Sequence, residues 1–121
     1  MQRWQIDFYE TKSGNCPVLE FIRTLPKEER VRLGHAIDDL ERNGPALRMP
    51  QSRPILSKES LFELRISGEQ NIYRVLYFHF TGKTFILLHA FIKKSQKTPE
   101  KEINIALERL KDFKQSTKET R

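Results

Sequence analysis

The chain is predicted to be a small α+β protein: a small antiparallel-dominated sheet with two N-terminal helices and one C-terminal helix, in the order β-α-α-β-β-β-α. Three observations predict it. Alternating apolar residues mark one strand near the start and three more at hairpin spacing between residues 61 and 92. Apolar residues at three- and four-residue spacing, bounded by proline and glycine, mark two helices before those hairpins and one after them. The 121 residues, 37% of them hydrophobic and 12 aromatic (8 Phe, 3 Tyr, 1 Trp), suffice for one modest core. We therefore expect a single domain over 1–113, followed by a polar, flexible tail over 114–121.

Each element has its own justification. Trp4-Gln5-Ile6-Asp7-Phe8-Tyr9 alternates apolar and polar residues, the pattern of a half-buried strand. The turn-rich stretch from Gly14 to Pro17 ends it. Val18 to Thr24 is a short helix with Leu19 and Ile22 on one side. Pro26, followed by Glu28 and Glu29, opens a longer helix, because proline fits a helix start and carboxylates suit the positive end of its dipole. Leu33, Ile37 and Leu40 form the stripe that this helix buries, and Asn43-Gly44-Pro45 stops it. Residues 45–60 carry Pro45, Pro50 and Pro54 with little periodicity and read as a loop. Within it, Arg48 and Arg53 either reach a ligand or stand in solvent.

Leu61 to Ile66 is a strand with Phe62, Leu64 and Ile66 on one face and Glu63 and Arg65 on the other. Ser67 to Asn71 turns the chain into the strand Ile72 to Phe80. Thr81-Gly82-Lys83 connects that strand tightly to Thr84–Ile92. Thr98-Pro99-Glu100 opens the last helix, with Thr98 as N-cap and Pro99 at the first helical position. Ile103, Ala106, Leu107, Leu110 and Phe113 are its buried stripe. From Lys114 onward the sequence is polar and is expected to fray.

Charge is unevenly spread. Residues 1–82 hold 12 Lys/Arg against 11 Asp/Glu, and residues 83–121 hold 10 against 5, so +5 of the net +6 lies in the last third. Such asymmetry points to an anionic partner, whether nucleic acid, an acidic protein or a membrane surface. Lys93, Lys94 and Lys97 stand between the last strand and the last helix. Cations held there suit a phosphate-rich ligand, although such a segment can also be a solubilising connector. Arg65 and Arg74 interrupt apolar strands. Each either pairs with a carboxylate, Glu63 being on the same face as Arg65, or joins the lysines in an uncompensated basic surface. His35 reads as a packed or surface residue, and His79 and His89 lie in apolar strand sequence, His89 nearer the basic edge. Tyr73 and Phe91 either stack on bases or fill the core, and Phe91 suits the core better.

Several classes are set aside. Cys16 is alone, so neither an internal disulfide nor a cysteine-rich metal motif is expected, and it has no neighbouring base that would make it a nucleophile. No apolar run approaches the roughly 18–20 residues that cross a bilayer. There is no secretory h-region near the start, so a cytoplasmic location is expected. No metal site, cofactor or membrane partner is expected.

Leu61-Phe62-Glu63-Leu64-Arg65, Tyr73-Arg74-Val75-Leu76-Tyr77 and Leu88-His89-Ala90-Phe91-Ile92-Lys93-Lys94-Ser95-Gln96-Lys97-Thr98-Pro99-Glu100 closely resemble the RelE/ParE toxin superfamily, above all its phage-related HigB-like branch. The last block is the most specific, since residues and strand-to-helix context agree. The match covers roughly residues 3–113, and its N-terminal part, including the Leu25-Pro26 helix start, matches only in pattern. The resemblance implies the toxin of a type II toxin–antitoxin system: a ribosome-dependent mRNA endoribonuclease, or mRNA interferase, that blocks translation. It implies mRNA and the 70S ribosome as partners. It also implies a cognate antitoxin, a helix-turn-helix protein in that branch, through which alone operator DNA would be bound. Alternatives within the resemblance are a ParE-like, non-catalytic inhibitor of DNA gyrase and a catalytically inactive phage-derived remnant that binds its antitoxin.

Metal-independent RNA cleavage by 2′-hydroxyl attack needs a base, an acid, and cations that stabilise the phosphorane. Arg65 and Arg74 suit the stabilising role, because a guanidinium keeps its charge and meets phosphate through two donors. Lys94 and His89 complete the expected catalytic set. A lysine can act as base only where neighbouring cations depress its pKa, and His89 only where it faces the cleft. Lys93, Lys97, Tyr73 and Arg53 are the expected RNA-binding residues. Several RelE-type enzymes carry a tyrosine near the C-terminus. No tyrosine follows Tyr77 here, so that role is empty or filled otherwise. Arg74→Ala is expected to abolish toxicity with the fold nearly intact.

Overall fold

The computed structural model describes residues 3–47, 51–56, 60–94 and 97–119. In chain order they form β1 (Gln5–Phe8), α1 (Pro17–Arg23), α2 (Lys27–Asn43), a 3-10 turn (Gly44–Ala46), β2 (Ser52–Leu56), β3 (Leu61–Ser67), β4 (Ile72–His79), β5 (Thr84–Lys93) and α3 (Glu100–Glu119). The predicted α+β class and element order stand, with one addition. β2 lies inside the segment expected to be loop. It pairs antiparallel with β3, and its proline is tolerated because an edge strand need not donate on both sides.

The sheet runs β1-β5-β4-β3-β2. β1 pairs parallel with β5, and every other pairing is antiparallel. The two sides of the sheet are covered by different helices. Leu64, Ile66, Tyr73, Val75, Tyr77, Phe85 and Leu87 pack against Val18 of α1 and Leu33 and Leu40 of α2. Leu61, Leu76, Phe78, Ile86, Leu88 and Phe91 pack against Ala106 and Leu110 of α3. Each fully buried Leu contributes on the order of 1.5–3 kcal/mol before chain entropy is subtracted. Coverage on both sides explains why β4 and β5 read as nearly continuous apolar runs.

The boundaries carry local reasons. α2 stops at Gly44, whose φ of +54° suits glycine and whose N–H donates to the Leu40 carbonyl. A side chain on Gly44 would also meet the Trp4 indole, at 2.4 Å from Nε1, and that indole stacks on Phe85 at 4.5 Å. Thr98 does not cap α3. The Pro99 carbonyl accepts the N–H groups of Glu102 and Ile103, while the Thr98 hydroxyl is turned into the interior. α3 also continues to Glu119, past the expected fraying point. Phe113 packs edge-on to Phe78 and Phe80, the Lys114 ammonium lies over the Phe78 ring, and no breaker follows. Tyr9 fastens the end of β1 to α3 through a hydrogen bond to Asp112. Burial, then that bond, pushes its phenol up to about 12. Among the described residues, no helix is long and apolar enough to cross a membrane.

Candidate functional site

The pairing of β3 with β4 puts Arg65 directly opposite Arg74, and the pairing of β4 with β5 puts Arg74 opposite Phe91 and Ile72 opposite Lys93. Alternation along each strand then brings Glu63, Arg65, Arg74 and Lys93 to the face covered by α3. β2 adds Arg53, which stands opposite Glu63. Like charges facing each other across a ladder are unfavourable. Glu63 offsets the conflict. Its side chain is 1% exposed, and it accepts from Arg74 Nη1, from Arg53 Nε at 3.0 Å and from the Thr98 hydroxyl. Arg53 Nη2 donates to Thr98 Oγ1 at 3.4 Å, which closes the network onto the start of α3.

The cations of this cluster differ in access. Arg74 is buried, with its Nε unbonded among the described residues. Arg53 is partly exposed and Arg65 exposed. Lys93 is half-buried at the rim, and Lys94 and Lys97 are exposed beyond it. Burial lowers the Arg74 pKa, Glu63 opposes that shift, and Arg53 and Arg65 add to it. Lys93 is also pushed below its ordinary value, first by desolvation and then by Arg74 and Arg65, with Glu63 pulling the other way. A lysine so placed loses its proton more readily than a solvated one.

His89 belongs to a neighbouring arrangement. β5 bulges opposite the Leu76–Tyr77 step, so Leu88 and His89 both turn toward α3. Arg109 Nη1 donates to the Leu88 carbonyl at 2.9 Å and to His89 Nδ1 at 3.2 Å. A guanidinium only donates, so Nδ1 is the acceptor, and Nε2–H donates to Glu102 at 2.7 Å. This is the neutral ring. Burial is the main cause of its lowered pKa, and Arg109 adds to it. Both ring nitrogens are engaged in holding α3 to the sheet.

The structure thus brings together Arg53, Arg65, Arg74 and Lys93 of the predicted residues, with Lys94 and Lys97 at the exit of β5. It places Tyr73 elsewhere. Tyr73 is buried on the opposite side of the sheet, where its hydroxyl donates to Glu29 at 3.2 Å. Phe91 lies in the core, the reading favoured for it over base stacking. Arg48 lies outside the described residues, as do Ser95 and Gln96. Of the two readings open for the strand arginines, pairing with a carboxylate holds for Arg74, because Glu63 lies inside the cluster. Sequence reasoning paired Glu63 with Arg65 through their shared face, but the cross-strand partners are Arg74 and Arg53. Arg74 is consequently part of the fold as well as of the cluster, and Arg74→Ala cannot leave stability untouched.

Where its sheet meets its last helix, this α+β fold gathers four cations near one buried carboxylate and so carries a local surplus of positive charge. The chain belongs to the phage-derived Gp49-like protein family (DUF891), whose model matches residues 20–111, more than half of its length. That span contains the whole cluster. No curated protein matches the chain.

Proposed function

We propose that this protein is the toxin of a type II toxin–antitoxin system and acts as a ribosome-dependent mRNA endoribonuclease of the RelE/HigB type. The observation that carries the reading is the excess of Arg53, Arg65, Arg74 and Lys93 over the single carboxylate of Glu63 at the end of the sheet. A scissile phosphate laid over that surface meets Arg65 first, the exposed guanidinium of the cluster. Arg65 stabilises the charge that develops on the phosphorane. Arg74 and Arg53, fixed by Glu63, supply field from beneath.

Lys93 takes the role of base, because desolvation, then Arg74 and Arg65, lower its pKa and ease loss of its proton. In the step it performs, the 2′-hydroxyl proton passes to Lys93. The 2′-oxygen bonds to phosphorus and the P–O5′ bond breaks, giving a 2′,3′-cyclic phosphate, while solvent water supplies the proton taken up by the leaving 5′-oxygen. Lys94 and Lys97 hold the flanking backbone. His89 acts as a positioning residue for α3, since its donor nitrogen is committed to Glu102.

Primer extension on a reporter messenger in a reconstituted translation reaction tests this, with and without ribosomes, for the wild type, Arg65→Ala and Lys93→Ala. Cuts within translated codons that need ribosomes and fade in both variants are the expected result. Translation that continues uncut by the wild-type protein would sink the reading. Inhibited supercoiling would then identify the gyrase alternative.

A further inference from the structure

The two edges of the sheet are unlike. β2 carries Pro54, which has no N–H, and a register shift between Pro54 and Leu56. Both features blunt an edge against further pairing. β1 has neither. It pairs with β5 alone, Gln5 N–H donating to the Lys83 carbonyl at 2.7 Å and Tyr9 N–H to the Leu87 carbonyl at 3.0 Å. In a parallel ladder, alternate residues address one neighbour. Gln5, Asp7 and Tyr9 therefore turn their backbone groups to β5, and Ile6 and Phe8 turn theirs outward. Among the described residues nothing bonds them there.

A slot of about 700 Å³ runs along this edge. Ile6, Phe8 and Leu19 give it apolar walls, Phe113 of α3 closes one side, and Asp7, Glu10 and Glu20 surround it against one cation, Arg23. In a chain of net charge +6 this is a local excess of negative charge. Among the described residues these three carboxylates form no ion pair, although the Cys16 N–H donates to Glu20 and the Gln5 amide to Asp7. An open ladder supplies main-chain hydrogen bonds, and walls on both sides select the alternate side chains of an added strand.

We propose that β1 is a docking edge that takes an extended segment of a partner protein, apolar at alternate positions and basic between them, as a sixth strand beside Ile6 and Phe8. The proposal is independent of the nuclease reading, since no residue of the slot belongs to the basic cluster.

The test uses the full chain and a blocked peptide of alternating lysine and valine, read by amide NMR and hydrogen exchange. Saturable shifts at residues 5–9 and slowed exchange of the Ile6 and Phe8 amides are expected. The double variant Glu10→Lys/Glu20→Lys, both on the surface away from the core, is expected to weaken binding by about tenfold or more, and added salt to weaken it further. A peptide with glutamate in place of lysine is expected not to bind. Absence of saturable shifts, shifts centred on another surface, or binding unchanged in the charge-reversed protein would overturn the proposal. Matching thermal unfolding of the two proteins separates lost binding from lost fold.

Discussion

Two buried glutamates flank the β3–β4 hairpin, one on each side of the sheet, and they are provided for very differently. Glu63, beneath α3, has three donors: Arg74, Arg53 and Thr98. Glu29, in the first turn of α2, receives the Tyr73 hydroxyl on one oxygen. Its other oxygen has no donor among the described residues, and Arg32 stands off at 3.6 Å. Glu29 lies near the positive end of α2, a place that suits a carboxylate. Glu63 is held instead by two arginines and by the Thr98 hydroxyl just before α3. The lesson concerns what a buried carboxylate can organise. One satisfied by arginines collects positive charge and leaves the surplus facing outward. One that receives a phenol on a single oxygen fastens a helix to a hairpin. It does this at close quarters, since a Cβ on Gly68 would fall 2.3 Å from Glu29 Oε1.

The sharpest way to break this comparison is to remove Glu63. Glu63→Ala leaves Arg74 buried without its carboxylate, and we expect a loss of about 3–5 kcal/mol in denaturant unfolding, together with loss of cleavage. Unchanged stability would show that Arg74 reaches solvent or another partner. Arg65→Ala should separate the two roles. Cleavage should fall by about two to three orders of magnitude, while stability stays within about 0.5 kcal/mol, as for exposed sites. Equal loss of both would return Arg65 to the structural network.

On the other side of the sheet, Tyr73→Phe should cost about 1 kcal/mol, the net worth of one hydrogen bond, and leave cleavage as it was. If Tyr73→Phe lost cleavage at unaltered stability, Tyr73 would regain the RNA-binding role that its position argues against. The smallest effect concerns His89. Its pKa is lowered in the fold, so the native protein holds the neutral ring to lower pH than the unfolded chain does. Stability should therefore be unaffected above about pH 6.5 and decline as pH falls from there through the native pKa. His89→Gln should lack that acid-side decline in thermal melts. An identical pH profile would place the titration on another group.

Much of this was legible before any coordinates. Spacing marks every helix and four of the five strands, because an apolar stripe at period 3.6 or 2 has one way to be buried. β2 escaped because three prolines near Arg53 mask a five-residue strand whose pairing depends on β3 being present. The cations themselves are plain in the sequence: the Lys93–Lys97 run, and Arg65 and Arg74 interrupting apolar strands. Glu63 was also visible as a neighbour on one face. What alternation along one strand cannot express is register. Arg74 and Arg53 sit 11 and 10 residues from Glu63, and only cross-strand pairing decides that they, and not Arg65, bind it. Thr98 shows the same limit, for a residue with every local mark of a helix cap is drawn instead to a buried carboxylate 35 positions away. Local propensity and charge content were thus determined by the sequence alone, since each acts within a few residues. The strand register, the bulge that turns His89 under α3, and the division of labour between two glutamates were decided by tertiary structure. They depend on which strands lie side by side, and no short window of sequence contains that.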